Sequence, residues 1–296
     1  VVLCGVLIVA VVLSYFLTRS VRHLSKVTTQ FAKGGLESRA IVKSRDEVGM
    51  LADDFNQMAD ELQIRMQRLE EQAKRQEEFT AAFAHELKTP LTSIMGYADM
   101  LRSMNLTEAE RMKASDYIYS QGKRLEALSF KLMELLVMKK QEFEFVEMEA
   151  GFLIETVFDL AEVGVLDRGM TLKKQVEPGK VYGEKDLLVS LFANLIDNSK
   201  KASKPGNTIW LEGKNLPDGY AITVRDEGRG MTEESLAKIT EAFFMVDKSR
   251  SRKEGGAGLG MTLCNQIVKL HGARWDMKSE PDAGTSMTVI FSKEVG

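Results

Sequence analysis

The stretch Phe83-Ala84-His85-Glu86-Leu87-Lys88-Thr89-Pro90-Leu91 decides how the middle of the chain folds. Phe83, Leu87, Pro90, Ile94, Tyr97, Leu101 and Met104 recur in alternating steps of four and three, the spacing of a helix whose apolar seam packs against other helices. At about 100° per residue, His85 falls roughly 200° from Phe83 around that helix. The imidazole is therefore expected to face solvent, with Glu86 beside it and Thr89 one turn later. A core histidine would occupy the seam. An exposed histidine alone is equally a solvated side chain, so its chemistry has to be argued from the rest of the chain.

Three further blocks lie about a hundred residues downstream: Asn194-Leu195-Ile196-Asp197-Asn198, Asp226-Glu227-Gly228-Arg229-Gly230 and Gly255-Gly256-Ala257-Gly258-Leu259-Gly260. With the four blocks in this order the sequence resembles a membrane-bound sensor histidine kinase of a two-component system, over about residues 1–293. The resemblance implies a multidomain chain. A transmembrane helix (1–18), a HAMP domain (19–66) and a coiled-coil linker (67–76) come first. A dimerisation and histidine phosphotransfer domain (77–143) follows, an α-helical hairpin that forms a four-helix bundle in the dimer. The last part is a catalytic ATP-binding domain (148–296), an α/β two-layer sandwich. It also implies a bacterial inner membrane, with residues after about 18 cytoplasmic.

Bulk properties agree. A net charge of −3 over 296 residues excludes the basic excess of a nucleic-acid binder. The two cysteines, Cys4 and Cys264, build neither a disulfide framework nor a Cys/His metal site, which suits a reducing cytoplasm. Residues 1–17 are almost wholly apolar, and Arg19, Arg22, His23 and Lys26 follow at once. That pattern reads as a transmembrane helix with a cytoplasmic C-terminal end. The alternative, a buried core helix, would show a polar face, and none interrupts the run. A signal peptide would carry its basic residues before the apolar run and a small-residue cleavage pattern after it. The opening Val-Val in place of Met is expected of a fragment whose sensor lies upstream.

An amphipathic helix over residues 19–32 is predicted next, then Lys33-Gly34-Gly35, a connector, and a second helix from about Asp46. The segment from Asp46 to Ala59 resembles the second half of a HAMP domain, whereas Arg19-Ser20-Val21-Arg22 lacks the proline usual at its start. Ala59, Leu62, Met66, Leu69, Ala73 and Gln76 continue a three-four alternation that fits a coiled coil leading into the His85 helix. No proline interrupts Asp46 to Thr89, so a helical shift at the membrane is expected to reach His85 mechanically. The turn Asn105-Leu106-Thr107-Glu108 ends that helix, and Thr107 is an N-cap for the next, which runs to about Lys140. Ile118, Leu125, Leu128, Leu132 and Leu135 share one face of it. Two helices per chain cannot bury such seams, and a homodimeric four-helix bundle is the expected solution. Residues 141–149 read as a linker into the α/β domain.

In that domain Asn194, Asn198 and Lys201 stand at i, i+4 and i+7 on one helical face. Solvated amides are the alternative reading. The resemblance implies that Asn198 coordinates the Mg²⁺ bridging the ATP phosphates, that Asn194 supports it and that Lys201 meets phosphate oxygens. Ala221-Ile222-Thr223-Val224 reads as a strand, with Asp226 near its end as the expected acceptor for the adenine amino group. Gly228 and Gly230 are expected to let the backbone approach the base. Gly256, Gly258 and Gly260, ahead of a helix beginning near Leu259, form a phosphate cradle. The spacing is neither a Rossmann fingerprint nor a P-loop. The polar run before it is expected to form a lid over ATP, and its Lys248, Arg250 and Arg252 are phosphate candidates, with a solvated charge run as the equal alternative. Phe243-Phe244 resembles the family's hinge, Met245 stands where many relatives have arginine, and Thr285 matches a position lining the adenine pocket.

The implied chemistry is transfer of the ATP γ-phosphoryl group to His85, then to an aspartate of a cognate response regulator. Glu86 is expected to orient, or take a proton from, the other imidazole nitrogen. Glu86-Leu87-Lys88-Thr89 matches the family's phosphatase pattern, implying that Thr89 orients a water toward the regulator's aspartyl-phosphate. A residue that merely prepares Pro90 is the alternative for Thr89. Two other classes compete. A signalling scaffold with a degenerate nucleotide site is favoured by Met245 alone, and another ATPase of the same fold would lack the histidine-bearing hairpin.

Overall fold

Two long helices open the chain, α1 (Val2–Ala32) and α2 (Glu47–Ser103). The computed structural model describes residues 2–41, 47–138, 143–246 and 258–293. By its internal contacts the chain divides into two compact units, Val1–Thr80 and Ala81–Gly296.

In the first unit, Leu24 and Val27 from α1 meet Ala40, Ala52 and Phe55, and Phe31 stands edge-on to Phe55 with ring centroids 5.6 Å apart. Gly34, at φ 100°, ends α1, and the Gly35 N–H closes back on the Gln30 carbonyl at 3.1 Å. The connector is pinned by one side chain. The Asn56 amide accepts from the Ala40 N–H at 2.8 Å and donates to the Ala40 carbonyl at 3.0 Å, imitating a strand partner. The apolar run expected to span a membrane over residues 1–18 is continuous with the polar segment after it, as the single helix α1. Among the described residues, no helix is long and apolar enough to cross a membrane.

In the second unit, the latter part of α2 and α3 (Glu108–Val137) form an antiparallel hairpin. Thr107 caps α3 through a capping box: its hydroxyl accepts from the Glu110 N–H, and the Glu110 carboxylate accepts from the Thr107 N–H at 2.8 Å. The helix α2 runs through Pro90, which cannot donate to the Glu86 carbonyl one turn back. Ala114, Leu128 and Leu135 are buried, and Ile118, Leu125 and Leu132 are half-buried. Leu91, Met95, Phe130, Met133 and Leu136 lie exposed.

The α/β part runs β1 (Val146–Glu149), α4 (Ala150–Leu166), β2 (Thr171–Val176), β3 (Lys180–Gly183), α5 (Lys185–Ala202), β4 (Thr208–Leu216), β5 (Gly219–Asp226), α6 (Glu233–Lys238), α7 (Gly260–Leu270), β6 (Arg274–Glu280) and β7 (Gly284–Ser292). Among the described residues the main sheet has five strands in the order β2-β4-β5-β7-β6, with only β2 and β4 parallel. Alternate residues Ile209, Leu211, Ile222, Val224, Met287 and Val289 point into the core shared with α4, α5 and α7. The other face is partly polar: Arg225 stacks on Trp210 at 3.7 Å, and Thr223 and Thr288 share a hydrogen bond of 2.8 Å. Residues 141–149 are not all linker, because β1 pairs antiparallel with β3. The strand alternates apolar and polar residues for only four positions, and Val146 is exposed with Met148 half-buried, so the pattern is too short to announce it.

Candidate active site

His85 sits on the outer face of α2, its side chain 69% exposed, opposite the apolar seam. Glu86, the next residue, is turned inward and is 7% exposed. Its partner is Arg124 of α3, 8% exposed, whose Nη2 lies 2.8 Å from Glu86 Oε2. The other oxygen, Oε1, faces His85 Nδ1 at 3.9 Å. Glu86 is therefore a bridge between a buried cation and the exposed imidazole. Sequence reasoning missed Arg124, whose one signal is a cation directly before Leu125 on the seam of α3. Thr89, one turn on, donates its hydroxyl to the His85 carbonyl at 3.2 Å. Its oxygen lone pairs stay available to an incoming donor.

The second constellation is built on α5, anchored by the buried side chains of Leu188, Leu191, Phe192, Leu195 and Ile196. That packing turns Asn198 and Lys201 into a cleft also lined by Asp226, Gly230, Gly258, Gly260 and Thr285. Asp226 is buried at the end of β5. It accepts from Ser199 Oγ at 2.7 Å and from the Gly228 N–H at 2.8 Å. Burial pushes its carboxyl above the usual aspartate range, and these neutral donors pull only part of the way back. The register of β5 on β7 sets Thr285 opposite Asp226, where its hydroxyl bonds Ser279 Oγ at 2.9 Å. Among the described residues, the buried Nδ2 of Asn198 has no hydrogen-bond partner, an orphaned polar group on the cleft wall. Lys201 pairs with Asp197 at 2.6 Å. Burial raises the Asp197 carboxyl, but Lys201 and Lys200 outweigh it and hold it below its ordinary range.

Asn194 is set apart. It does not line the cleft; its Nδ2 donates to the Ser190 carbonyl at 2.9 Å, and its Oδ1 accepts from Lys131 of α3 at 3.4 Å. Lys131 does line the cleft, which no periodicity in the sequence announces, and burial lowers its ammonium below the usual lysine range. Two of the glycines also have a reason within the protein itself. A Cβ on Gly228 would lie 2.7 Å from Asp226 Oδ1 and 2.9 Å from the Ala202 carbonyl, and one on Gly230, at φ 60°, would overlap the Glu280 carbonyl oxygen. The protein's own backbone, before any base, excludes side chains there. Gly258, at φ 69°, accepts from the Phe243 N–H at 2.9 Å, and a Cβ there would come within 2.7 Å of the Phe243 backbone. Phe244 and Met245 line the cleft. Lys248, Arg250, Arg252 and Gly256 lie outside the described residues. Among those described, no group of three or more His, Cys, Asp or Glu side chains is placed to hold a metal. Cys264 is buried with its thiol pushed up to about 12, so it offers no thiolate.

Comparison with known proteins locates these parts. Family models match as a HAMP domain over residues 12–64, a His Kinase A (phospho-acceptor) domain over 75–135, and a histidine kinase-, DNA gyrase B- and HSP90-like ATPase over 183–295. The chain is 29% identical over 300 residues to the histidine protein kinase SaeS of Staphylococcus aureus, covering 98% of this chain and 85% of that one. It is also 29% identical over 287 residues to the sensor histidine kinase YclK of Bacillus subtilis, covering 96% of this chain and 60% of that one. Its fold is similar to that of histidine kinase ThkA in complex with the response regulator protein TrrA, at a TM-score of 0.62 and 23% identity over 77% of this chain and 66% of that one. A histidine kinase of Acinetobacter baumannii, AdeS, is similar at a TM-score of 0.55 and 17% identity, over 70% of this chain and 97% of that one.

Proposed function

From the premise that this chain belongs to the two-component sensor histidine kinases, we propose the residues that carry its autophosphorylation and its transfer to a response regulator. The observation that carries the reading is the gathering of Asp226, Asn198 and Lys201 on one cleft in the same compact unit as the exposed His85.

Asp226 accepts from the adenine amino group, with Thr285 beside it, and Lys201 meets the phosphates as a point charge. Asn198 offers Mg²⁺ a side-chain carbonyl oxygen, the hard ligand this cation takes while keeping most of its waters, and its unpartnered Nδ2 is a donor suited to a phosphate oxygen. Asn198 would hold it, and when bound it would neutralise phosphate charge as ADP departs; the support expected from Asn194 has no counterpart in its contacts, which go to Ser190 and Lys131. Gly256, Gly258 and Gly260 cradle the phosphates, and Lys248 and Arg252 complete the cation set where Met245 brings none. Nε2 of His85 attacks the γ-phosphorus, and the bond to ADP breaks in line. The Nδ1 proton passes to Glu86 Oε1, the only carboxylate oxygen placed beside that nitrogen among the described residues. The phosphoryl group then moves from Nε2 to the regulator's aspartate. Thr89 orients a water for the reverse, phosphatase function by accepting one of its hydrogens.

The chain acts as a homodimer at a membrane. Exposed Leu91, Met95, Phe130 and Met133 on the hairpin support a second copy completing the bundle. Exposed Leu3, Val6, Leu7, Ile8 and Val11, spread around α1, support a hydrocarbon surrounding.

The full chain is incubated with Mg²⁺ and γ-labelled ATP beside a His85→Gln variant, and acid-labile label is counted. Label is expected on the parent and none on the variant. Equal label on both removes His85 as acceptor. A Thr89→Ala variant that dephosphorylates the regulator at full rate removes the phosphatase role.

A further inference from the structure

We infer that Arg124 is a positioning residue for phosphorylation of His85, acting through Glu86. The inference rests on the acceptor role just proposed for His85 and on geometry around it.

A carboxylate next to an exposed histidine on a helix surface would ordinarily swing in solvent among several rotamers. Glu86 does not have that freedom. It is buried, and Oε2 is tied at 2.8 Å to a guanidinium on the facing helix that is itself buried. Charge-assisted bonds of this length fix orientation, and a planar guanidinium does so more firmly than an ammonium. With Oε2 held, Oε1 has one outlet, toward His85 Nδ1 at 3.9 Å. A rotation of the exposed imidazole closes that gap to a hydrogen bond, with Nδ1–H as donor. The tautomer so selected leaves the lone pair on Nε2, the far nitrogen of the ring. Arg124 therefore decides which nitrogen attacks, though it touches neither ATP nor the imidazole.

The step balances without a further reactant. Nε2 forms the N–P bond, the P–O bond to ADP breaks, and ADP leaves with the electron pair. The Nδ1 proton goes to Glu86 and then to solvent.

The test compares initial labelling rates of the full chain at saturating ATP, with ATP affinity measured separately. Arg124→Met is expected to slow labelling roughly 100-fold, the lower end of what a positioned proton acceptor contributes. ATP affinity should stay within about twofold, since Arg124 is not on the cleft. The double variant Glu86→Gln/Arg124→Met should label no more slowly than Glu86→Gln alone, because an arginine that works through Glu86 has nothing left to position. A multiplicative loss in the double variant, or full-rate labelling by Arg124→Met, overturns the inference. Should Arg124→Met fail to fold, Arg124→Lys replaces it: slowed labelling at unchanged ATP affinity supports the role, and a parental rate overturns it. Parental chain that takes no label at His85 would instead overturn the acceptor reading beneath it.

Discussion

Around His85 and around Asp226 the chain buries a carboxylate, and it satisfies the two by different means. Glu86 meets a full cation, Arg124, across the hairpin. Among the described residues Asp226 meets neutral donors, the Ser199 hydroxyl and the Gly228 and Thr285 N–H groups. A guanidinium returns Coulomb energy against the loss of water and fixes one oxygen, leaving the other aimed outward. Neutral donors return less, so burial dominates and the Asp226 carboxyl is raised. The first arrangement suits a group that must point while its neighbour reacts. The second suits an acceptor that waits for a donor from a ligand.

Stability should show the contrast most strongly. Arg124→Met leaves Glu86 buried without its cation, and urea unfolding should report a loss of about 3–5 kcal/mol. Replacing both partners by apolar residues of similar volume should recover most of it while labelling stays slow. Asp226→Asn should go the other way. A raised carboxyl pKa gives stability that is complete below the unfolded value and lost as pH rises through the folded one, so at neutral pH the charged side chain is a burden. Its amide should leave the melting temperature equal or higher, yet weaken adenine-nucleotide binding by roughly 10- to 100-fold, the worth of a hydrogen bond to a charged acceptor. A marked fall in melting temperature with unchanged titration of nucleotide would break the comparison.

The smallest effect sharpens the pH side. His271 accepts from the Glu184 N–H at Nε2, 3.0 Å away, and lies 2.8 Å from the Ile267 carbonyl at Nδ1, so it folds neutral. Burial lowers its pKa, against the pull of the Ile267 carbonyl and Glu184. A lowered folded value means that stability is full above the ordinary histidine pKa near 6.5 and falls as pH drops through the folded one, opposite in sign to Asp226. Melting temperature should therefore be lower at pH 5.5 than at 7.5. Asp226→Asn should keep that drop and His271→Gln should shrink it; an equal drop in all three would assign it elsewhere.

Much of this was legible in the residues. The four-three spacing through Phe83 and Tyr97 placed α2 and the outward aspect of His85, because a helix repeats within one turn. Thr107 and Glu110 announced the start of α3 through a local capping box. The apolar run before Asp226 announced β5. The strand β1 stayed hidden in a segment read as linker, since its partner lies more than thirty residues on and its own alternation lasts only four residues. The reason for Gly230 was hidden likewise: its φ and the Glu280 carbonyl against it are facts of a turn meeting a distant strand.

By itself, then, the sequence determined the succession of helices up to about residue 140, the strand before Asp226, the exposed histidine, and the asparagine, aspartate and glycine blocks of a nucleotide site, because these follow from periodicity and short-range chemistry. Only the tertiary structure decided that Glu86 turns inward to Arg124, that Ser199 holds Asp226, and that Lys131 takes Asn194 away from the cleft. Each of these pairs joins residues 27 to 63 positions apart. Their meeting depends on how two elements pack, and no periodicity within either element encodes it.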